Sequence, residues 1–121
     1  MKRLDILGKE RLISALEGFG FSKSDTVVYI FLANNGPCTF QKIAKDLKLK
    51  DKMIDESLKE LHSMGIVSYS VDKPIEFAAL PFDELIDLFV EVKKEQAKIM
   101  TENKKKLLSN WKTILKNNSA K

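Results

Sequence analysis

GPCTFQKIAKDLKLKDKMIDESLKELHSMGIVSYSVDKPIEFAAL, residues 36–80, changes its periodicity three times, and those changes decide the fold. Gly36-Pro37 continues a turn signal begun by Asn34-Asn35. Thr39 suits the N-cap of a short helix that buries Ile43, Ala44 and Leu47, because its hydroxyl accepts an unpaired N–H of the first turn. Lys48-Leu49-Lys50 makes the next turn, and Asp51 is the expected cap of a helix over 52–64 in which Ile54, Ser57, Leu58 and Leu61 share one face. Gly65 ends that helix where a left-handed residue is wanted. Strand alternation follows. Val67, Tyr69 and Val71 alternate with Ser68 and Ser70, while Ile75, Phe77 and Ala79 share a face of the next strand. Asp72-Lys73-Pro74 joins the two, so the hairpin is short, and a proline at a strand entrance suits an edge.

Helix, turn, helix and hairpin in that order make the layout of a winged helix-turn-helix, a mainly α fold with a small β-hairpin. Upstream, Leu4, Ile6, Leu7, Leu12, Ile13 and Leu16 predict an amphipathic helix, broken near Gly8 and ended by Gly18-Phe19-Gly20. Ser22 then caps a helix with Asp25 in its first turn. From Thr26 to Ala33 almost every residue is apolar, which predicts a helix buried on most sides at the centre of the domain. Downstream, Pro81 breaks the sheet, Asp83 is the expected cap, and no proline or glycine interrupts 83–116. That predicts a long C-terminal helix of roughly 34 residues, about 50 Å. The expected organisation is a winged-helix head at 1–81, a long helix at 82–117 and a frayed tail at 118–121.

The 121 residues suffice for one compact head plus one extension, and 44% apolar residues supply a core. No apolar run reaches the roughly 18 residues of a membrane span, and Asp5, Lys9 and Glu10 interrupt any secretory leader, so a cytoplasmic location is expected. One cysteine excludes an internal disulfide. The net charge of +4 admits nucleic acid as a partner, but the basic excess sits at the two ends. Residues 51–82 carry three bases against six acids, and all bases except Arg3 and Arg11 are lysine.

The run Gly20-Phe21-Ser22-Lys23-Ser24-Asp25, with Val28-Tyr29, Asn35-Gly36-Pro37 and Ile43-Ala44 after it, resembles the N-terminal winged-helix domain of TrmB-like archaeal transcription regulators. Leu58-Lys59-Glu60-Leu61-His62-Ser63-Met64-Gly65-Ile66-Val67 is similar to the family's helix end, glycine and first wing strand, and Phe77-Ala78-Ala79-Leu80-Pro81 to the end of its second. The resemblance spans roughly 15–115 and implies a DNA-binding transcription regulator that dimerises through its long helix. Many family members carry a C-terminal sugar-binding domain. This chain ends before one could begin, so no sugar-ligand domain is expected and no sugar site is carried over. The recognition helix also departs from the pattern: where similar proteins place serine, arginine or lysine, its first turns read Asp51-Lys52-Met53-Ile54-Asp55-Glu56.

With Ile54, Leu58 and Leu61 inward, that helix faces out through Lys52, Met53, Glu56, Lys59, Glu60 and Ser63. No arginine, asparagine or glutamine, the usual readers of guanine and adenine, stands among them. Groove contact through Lys52, Met53, Lys59 and Ser63 therefore competes with a plain solvated face, since Lys52–Glu56 and Asp55–Lys59 are spaced to pair. Lys42, Lys45, Lys48 and Lys50 are the better phosphate candidates, because a helix-turn-helix crosses the DNA backbone there. A solvated polar face opposite Ile43 and Leu47 is the alternative. Lys73 at the wing tip is a further phosphate or minor-groove candidate beside Asp72. Cys38, just before a helix start, is read as a small core residue rather than a redox site, and His62 as a surface residue rather than a metal ligand. No catalytic set, cofactor motif or metal cluster stands out, so an enzyme is not expected.

On the long helix, Leu85, Phe89, Val92, Gln96, Ile99, Asn103, Leu107, Trp111 and Ile114 form one stripe at a mean spacing near 3.6 residues, which needs a covering partner. The simplest is a second copy; the alternative is the N-terminal helix of the same chain. Residues 83–95 carry five acids and two bases, and 98–116 six bases and one acid, which favours an antiparallel homodimer centred near Ile99 and Met100. The expected function is thus a dimeric regulator holding double-stranded DNA through lysines. A winged-helix protein-interaction adaptor with an acidic recognition face is the alternative.

Overall fold

The computed structural model describes residues 2–119, with side chains from Gly8 to Asn117. Five helices and three strands run in the order α1 (Lys2–Gly18), α2 (Lys23–Asn35), β1 (Cys38–Thr39), α3 (Phe40–Leu47), α4 (Asp51–Ser63), β2 (Val67–Tyr69), β3 (Glu76–Ala79) and α5 (Phe82–Ser119). The mainly helical fold with a small sheet and a long C-terminal helix is the expected class. Two compact units divide the chain at 85/86.

In the first unit α2 is the hub, packing against α1, α3, α4 and β3. A capping box starts it. The Asp25 N–H donates to Ser22 Oγ at 3.0 Å, and the Ser22 N–H donates back to Asp25 Oδ2 at 3.1 Å. This local exchange explains how a carboxylate at position 25 sits buried. Val28, Tyr29 and Leu32 fill the core from α2, while Ile30 and Phe31 are half-buried and Val27 and Ala33 are exposed, so the helix is less fully covered than expected. Ile43 from α3, then Ile54, Leu58 and Leu61 from α4, meet them. Gly65, with φ +77, lets the chain reverse after α4, and Ile66 N–H then donates to the Leu61 carbonyl at 2.9 Å. Ile66 and Val67 are buried as a result.

The sheet order is β1-β3-β2, antiparallel throughout. β1 lies outside the expected elements. Its two residues pair Cys38 with Phe77 and Thr39 with Glu76, making β3 central. Several expected boundaries also shift. α1 runs unbroken through Gly8, whose absent side chain costs the helix only about 1 kcal/mol. The side chains of Leu4, Ile6 and Leu7 lie outside the described residues. Lys50, not Asp51, occupies the cap of α4 and supplies no side-chain bond; Asp51 is the first helical residue, where its charge still meets the helix dipole. Likewise Asp83 sits inside the first turn of α5 rather than at its cap. The alternation Val67-Tyr69-Val71 does not mark a buried face: Val71 is 95% exposed, because the hairpin tip has nothing beneath it. α5 continues to Ser119, past the expected start of a frayed tail; Ala120 and Lys121 lie outside the described residues.

Tyr29 closes the head. Its ring is 1% exposed, meets Phe21 edge-on at 6.1 Å, and its hydroxyl donates to the Leu80 carbonyl at 2.8 Å. Burial first, then the nearby Asp83 carboxylate, pushes the phenol up to about 12. The unfolded chain loses this proton near 10 and the folded chain near 12, so the bond's stabilisation is intact below pH 10 and lost as pH rises through 12. Tyr29→Phe is expected to cost about 1 kcal/mol in urea melts at pH 7 and to flatten the decline in stability between pH 10 and 12. An unchanged alkaline slope would show that another group produces it.

Candidate nucleic-acid interface

The helix-turn-helix is α3, the turn Lys48-Leu49-Lys50, and α4. Thr39 caps α3, its hydroxyl accepting from the Lys42 N–H at 3.3 Å. With Ile43 fully buried, the opposite side of α3 presents Lys42 and Lys45 to solvent. Lys42 Nζ is 2.9 Å from Asp46 Oδ2, and this hydrogen bond raises the lysine's pKa above its usual value. The pair is exposed on both sides, so solvent screens it and a competing anion opens it readily.

Lys48 has φ 55 and ψ 29, a left-handed backbone that a side chain disfavours. Its N–H donates to the Ala44 carbonyl at 3.1 Å and so terminates α3. Glycine is the ordinary residue at such a place. Lys50 follows at the α4 cap. Lys45, Lys48 and Lys50 are all exposed, so one short helix and its turn gather four ammonium groups, of which Lys42 alone is tied to a carboxylate by a described ion pair.

α4 turns Lys52, Met53, Lys59 and Ser63 outward as expected, together with Asp51, Asp55, Glu56 and Glu60. Lys59 Nζ sits 3.0 Å from Asp55 Oδ2, and Ser63 Oγ donates to the Glu60 carbonyl at 2.6 Å. Lys59 is thereby held in an exposed ion pair like that of Lys42, and the Ser63 hydroxyl donates within the helix. Lys52 and Met53 remain as outward groups without such an engagement. Lys73 is exposed at the hairpin tip.

The hairpin carries a feature that alternation concealed. Tyr69 is 54% exposed, its ring 4.9 Å from that of His62 and 6.2 Å from that of Phe77. These rings, with Asp55, Leu58, Lys59 and Ile75, line an open hollow of about 340 Å³ between α4 and the hairpin. Ile75 and Phe77 also wall a second hollow of about 360 Å³ that Phe40, Lys73 and Pro74 complete. The signal was present in the shortness of the hairpin, which leaves no layer to cover both faces.

In the second unit, α5 leaves Val92, Gln96, Ile99, Met100, Asn103, Leu107, Trp111 and Ile114 exposed along its length. Of the other two stripe residues, Leu85 is covered within the first unit and Phe89 is buried. Cys38 is buried and its thiol donates to the Gly36 carbonyl at 3.2 Å, which suits the core reading. No group of three or more metal-ligating side chains occurs among the described residues, and no described helix is long and apolar enough to cross a membrane.

The family model described as sugar-specific transcriptional regulator TrmB matches residues 16–83, from the end of α1 to the start of α5. No curated protein matches the sequence. Among solved structures, a possible transcriptional regulator from Methanosarcina mazei Go1 is similar at 16% identity over 76% of this chain and 83% of that one, with a TM-score of 0.63. A MarR family protein from Bacillus stearothermophilus shares 13% identity over 99% and 90%, TM-score 0.53. MepR, a transcription regulator of the Staphylococcus aureus multidrug efflux pump MepA, shares 16% over 96% and 93%, TM-score 0.53. At these identities the likeness establishes the winged-helix fold.

The left-handed lysine gives a direct stability test. Lys48→Gly is expected to stabilise the head by about 1 kcal/mol, whereas Lys45→Gly, inside α3, destabilises it by about as much. Thermal or urea melts of the two variants report the opposite signs; equal destabilisation would show that the turn is not left-handed in solution.

Proposed function

The chain belongs, over residues 16–83, to the TrmB family of transcriptional regulators, and on that premise we propose that it is a homodimer that binds double-stranded DNA through lysine–phosphate contacts. The observation that carries the reading is Lys48. A lysine is kept in a left-handed turn where glycine would be about 1 kcal/mol more favourable, at the place where a helix-turn-helix meets the DNA backbone. Lys42, Lys45 and Lys50 stand beside it in sequence and complete a set of phosphate contacts; Lys52, Lys59 and Lys73 add to it from α4 and the hairpin. Lysine attracts phosphate without reading sequence, so affinity follows charge and salt more than base order.

Regulation in this reading is steric: a dimer seated on phosphates blocks or recruits transcription machinery. Its partner is DNA, it needs no cofactor, and it works in the cytoplasm. The exposed stripe of α5 supports a coiled-coil dimer. Its acidic first half and basic second half support antiparallel pairing, since parallel copies would set Lys104-Lys105-Lys106 against themselves.

The exposed acids Asp51, Asp55, Glu56 and Glu60 favour one competing reading, an adaptor whose α4 grips a basic protein. Charge reversal separates the two. If DNA is the partner, Lys45→Glu with Lys48→Glu lowers affinity for mixed-sequence duplex more than tenfold in anisotropy titrations and flattens the salt slope by about 0.9 per lost contact. Asp55→Lys with Glu56→Lys raises it. The adaptor reading requires the lysine variants to retain function and the acid variants to lose it; absence of duplex binding at low salt ends the regulator reading.

Cross-linking tests the orientation. With the contact centred between Ile99 and Met100, Val92→Cys and Leu107→Cys chains mixed together form a disulfide-linked dimer, and Val92→Cys alone does not. The reverse pattern indicates parallel helices. A monomer mass by light scattering removes the dimer altogether. Buried Cys38 stays out of the reaction.

A further inference from the structure

We propose that the hairpin face next to α4 is a stacking platform for two neighbouring bases of an unpaired nucleic-acid strand. The inference rests on the nucleic-acid reading above and goes beyond it, because it assigns base contact to the wing rather than to the recognition helix.

The outward face of the recognition helix carries no arginine, asparagine or glutamine, and its lysine Lys59 and serine Ser63 are engaged within the helix. Aromatic surface lies beside it instead. Tyr69 stands opposite Phe77 across the β2–β3 ladder, which puts both rings on the same face of the sheet. His62, the penultimate residue of α4, tilts onto Tyr69, with the two rings at 44°. A half-exposed tyrosine with two rings tilted against it, at 44° and 53°, presents aromatic surface with one side open to solvent.

The arrangement of the surface as two hollows side by side suits two successive bases of a strand. Two hollows of about 340 and 360 Å³ adjoin each other through the shared walls Ile75 and Phe77. Both are open and shallow, so each suits a base still attached to its backbone. Lys59, paired with Asp55, borders the first, and Lys73, in no described ion pair, borders the second and is the ammonium group placed to meet a phosphate. Asp55 also lines the first hollow, but its carboxylate is held by Lys59 at 3.0 Å. Stacking needs no particular base, since each presents a π-face, and it supplies affinity where the local charge is close to neutral.

Anisotropy titrations with a labelled mixed-sequence single strand, the same strand as a blunt duplex, and an abasic strand of equal length decide the matter. The platform is expected to bind the base-bearing strand about tenfold more tightly than the abasic one. Tyr69→Ala is expected to remove that difference while leaving the duplex within about twofold, and Tyr69→Phe is expected to keep it. Tyr69 is exposed, so the alanine variant leaves the core intact, and circular dichroism checks that it does. Equal binding of base-bearing and abasic strands, or an equal effect of Tyr69→Ala on strand and duplex, overturns the platform and leaves the duplex reading standing. Strand binding without duplex binding does the opposite. Failure to bind any nucleic acid removes both.

Discussion

The Tyr29 hydroxyl reaches the Leu80 carbonyl at 2.8 Å across 51 residues of sequence, and the geometry of the head depends on that bond. Leu80 is where the chain leaves the sheet, and its N–H donates to the Ile66 carbonyl at 2.7 Å. Both of its backbone groups are therefore committed, one to the central helix and one to the entrance of β2. The hairpin is thereby tied at its base to α2 and to the residue that follows Gly65. Leaving the Leu80 carbonyl without its partner costs more than the bond contributes, because a partly buried acceptor keeps its desolvation cost. Tyr69 over His62, and Phe77 paired opposite Tyr69, stand on the hairpin whose base this bond holds.

Electrostatics around α3 and α4 follow from spacing. Asp46 lies four residues after Lys42, and Asp55 four before Lys59, so each forms an exposed ion pair of small net worth. Such pairs fix no fold, but they decide which charges are available. A phosphate competing for Lys42 has only to displace a carboxylate already in water. On α4 the same exchange is less productive, because releasing Lys59 leaves Asp55 unpaired near Asp51 and Glu56. The α3 end of the motif is thus the one where anions gain most, and the α4 face the one where they gain least.

Signals confined to a few adjacent residues were legible in the sequence. Ser22 with Asp25, Thr39 before Phe40, and Gly65 before Ile66 each satisfy a backbone need within four positions, and all three stand where expected. Readings that depend on what lies opposite were not. Cys38-Thr39 is too short to show a period, and becomes a strand only because Glu76 and Phe77 pair with it. Val67, Tyr69 and Val71 share a face by alternation, yet only Val67 has a layer beneath it. Asp51 is a better cap former than Lys50, but the register of α4 is set by burying Ile54, Ser57, Leu58 and Leu61, and that places Asp51 one residue inside. Packing outweighed a cap worth about 1 kcal/mol. The lysines of the candidate interface were legible as a cluster, while the left-handed backbone of Lys48 and the aromatic hollows belong to tertiary structure.

Among the described residues the α5 stripe and the hairpin face are apolar surfaces left in water, and their sizes point to different occupants. α5 spans 38 residues, about 57 Å, with Trp111 57% exposed among aliphatic neighbours at helical spacing. Covering such a stripe demands a surface of similar length, and a stable protein interface of roughly 800 Å² per partner is of that order. The hairpin face is a few side chains wide and ends at Lys59 on one side and Lys73 on the other. Burial there is too small to hold a folded partner by area alone, since association costs several kcal/mol in lost freedom before any contact registers. A base delivered by a strand already held through its phosphates escapes most of that cost. The small surface therefore gains most from a tethered ring, and the large one from a second helix.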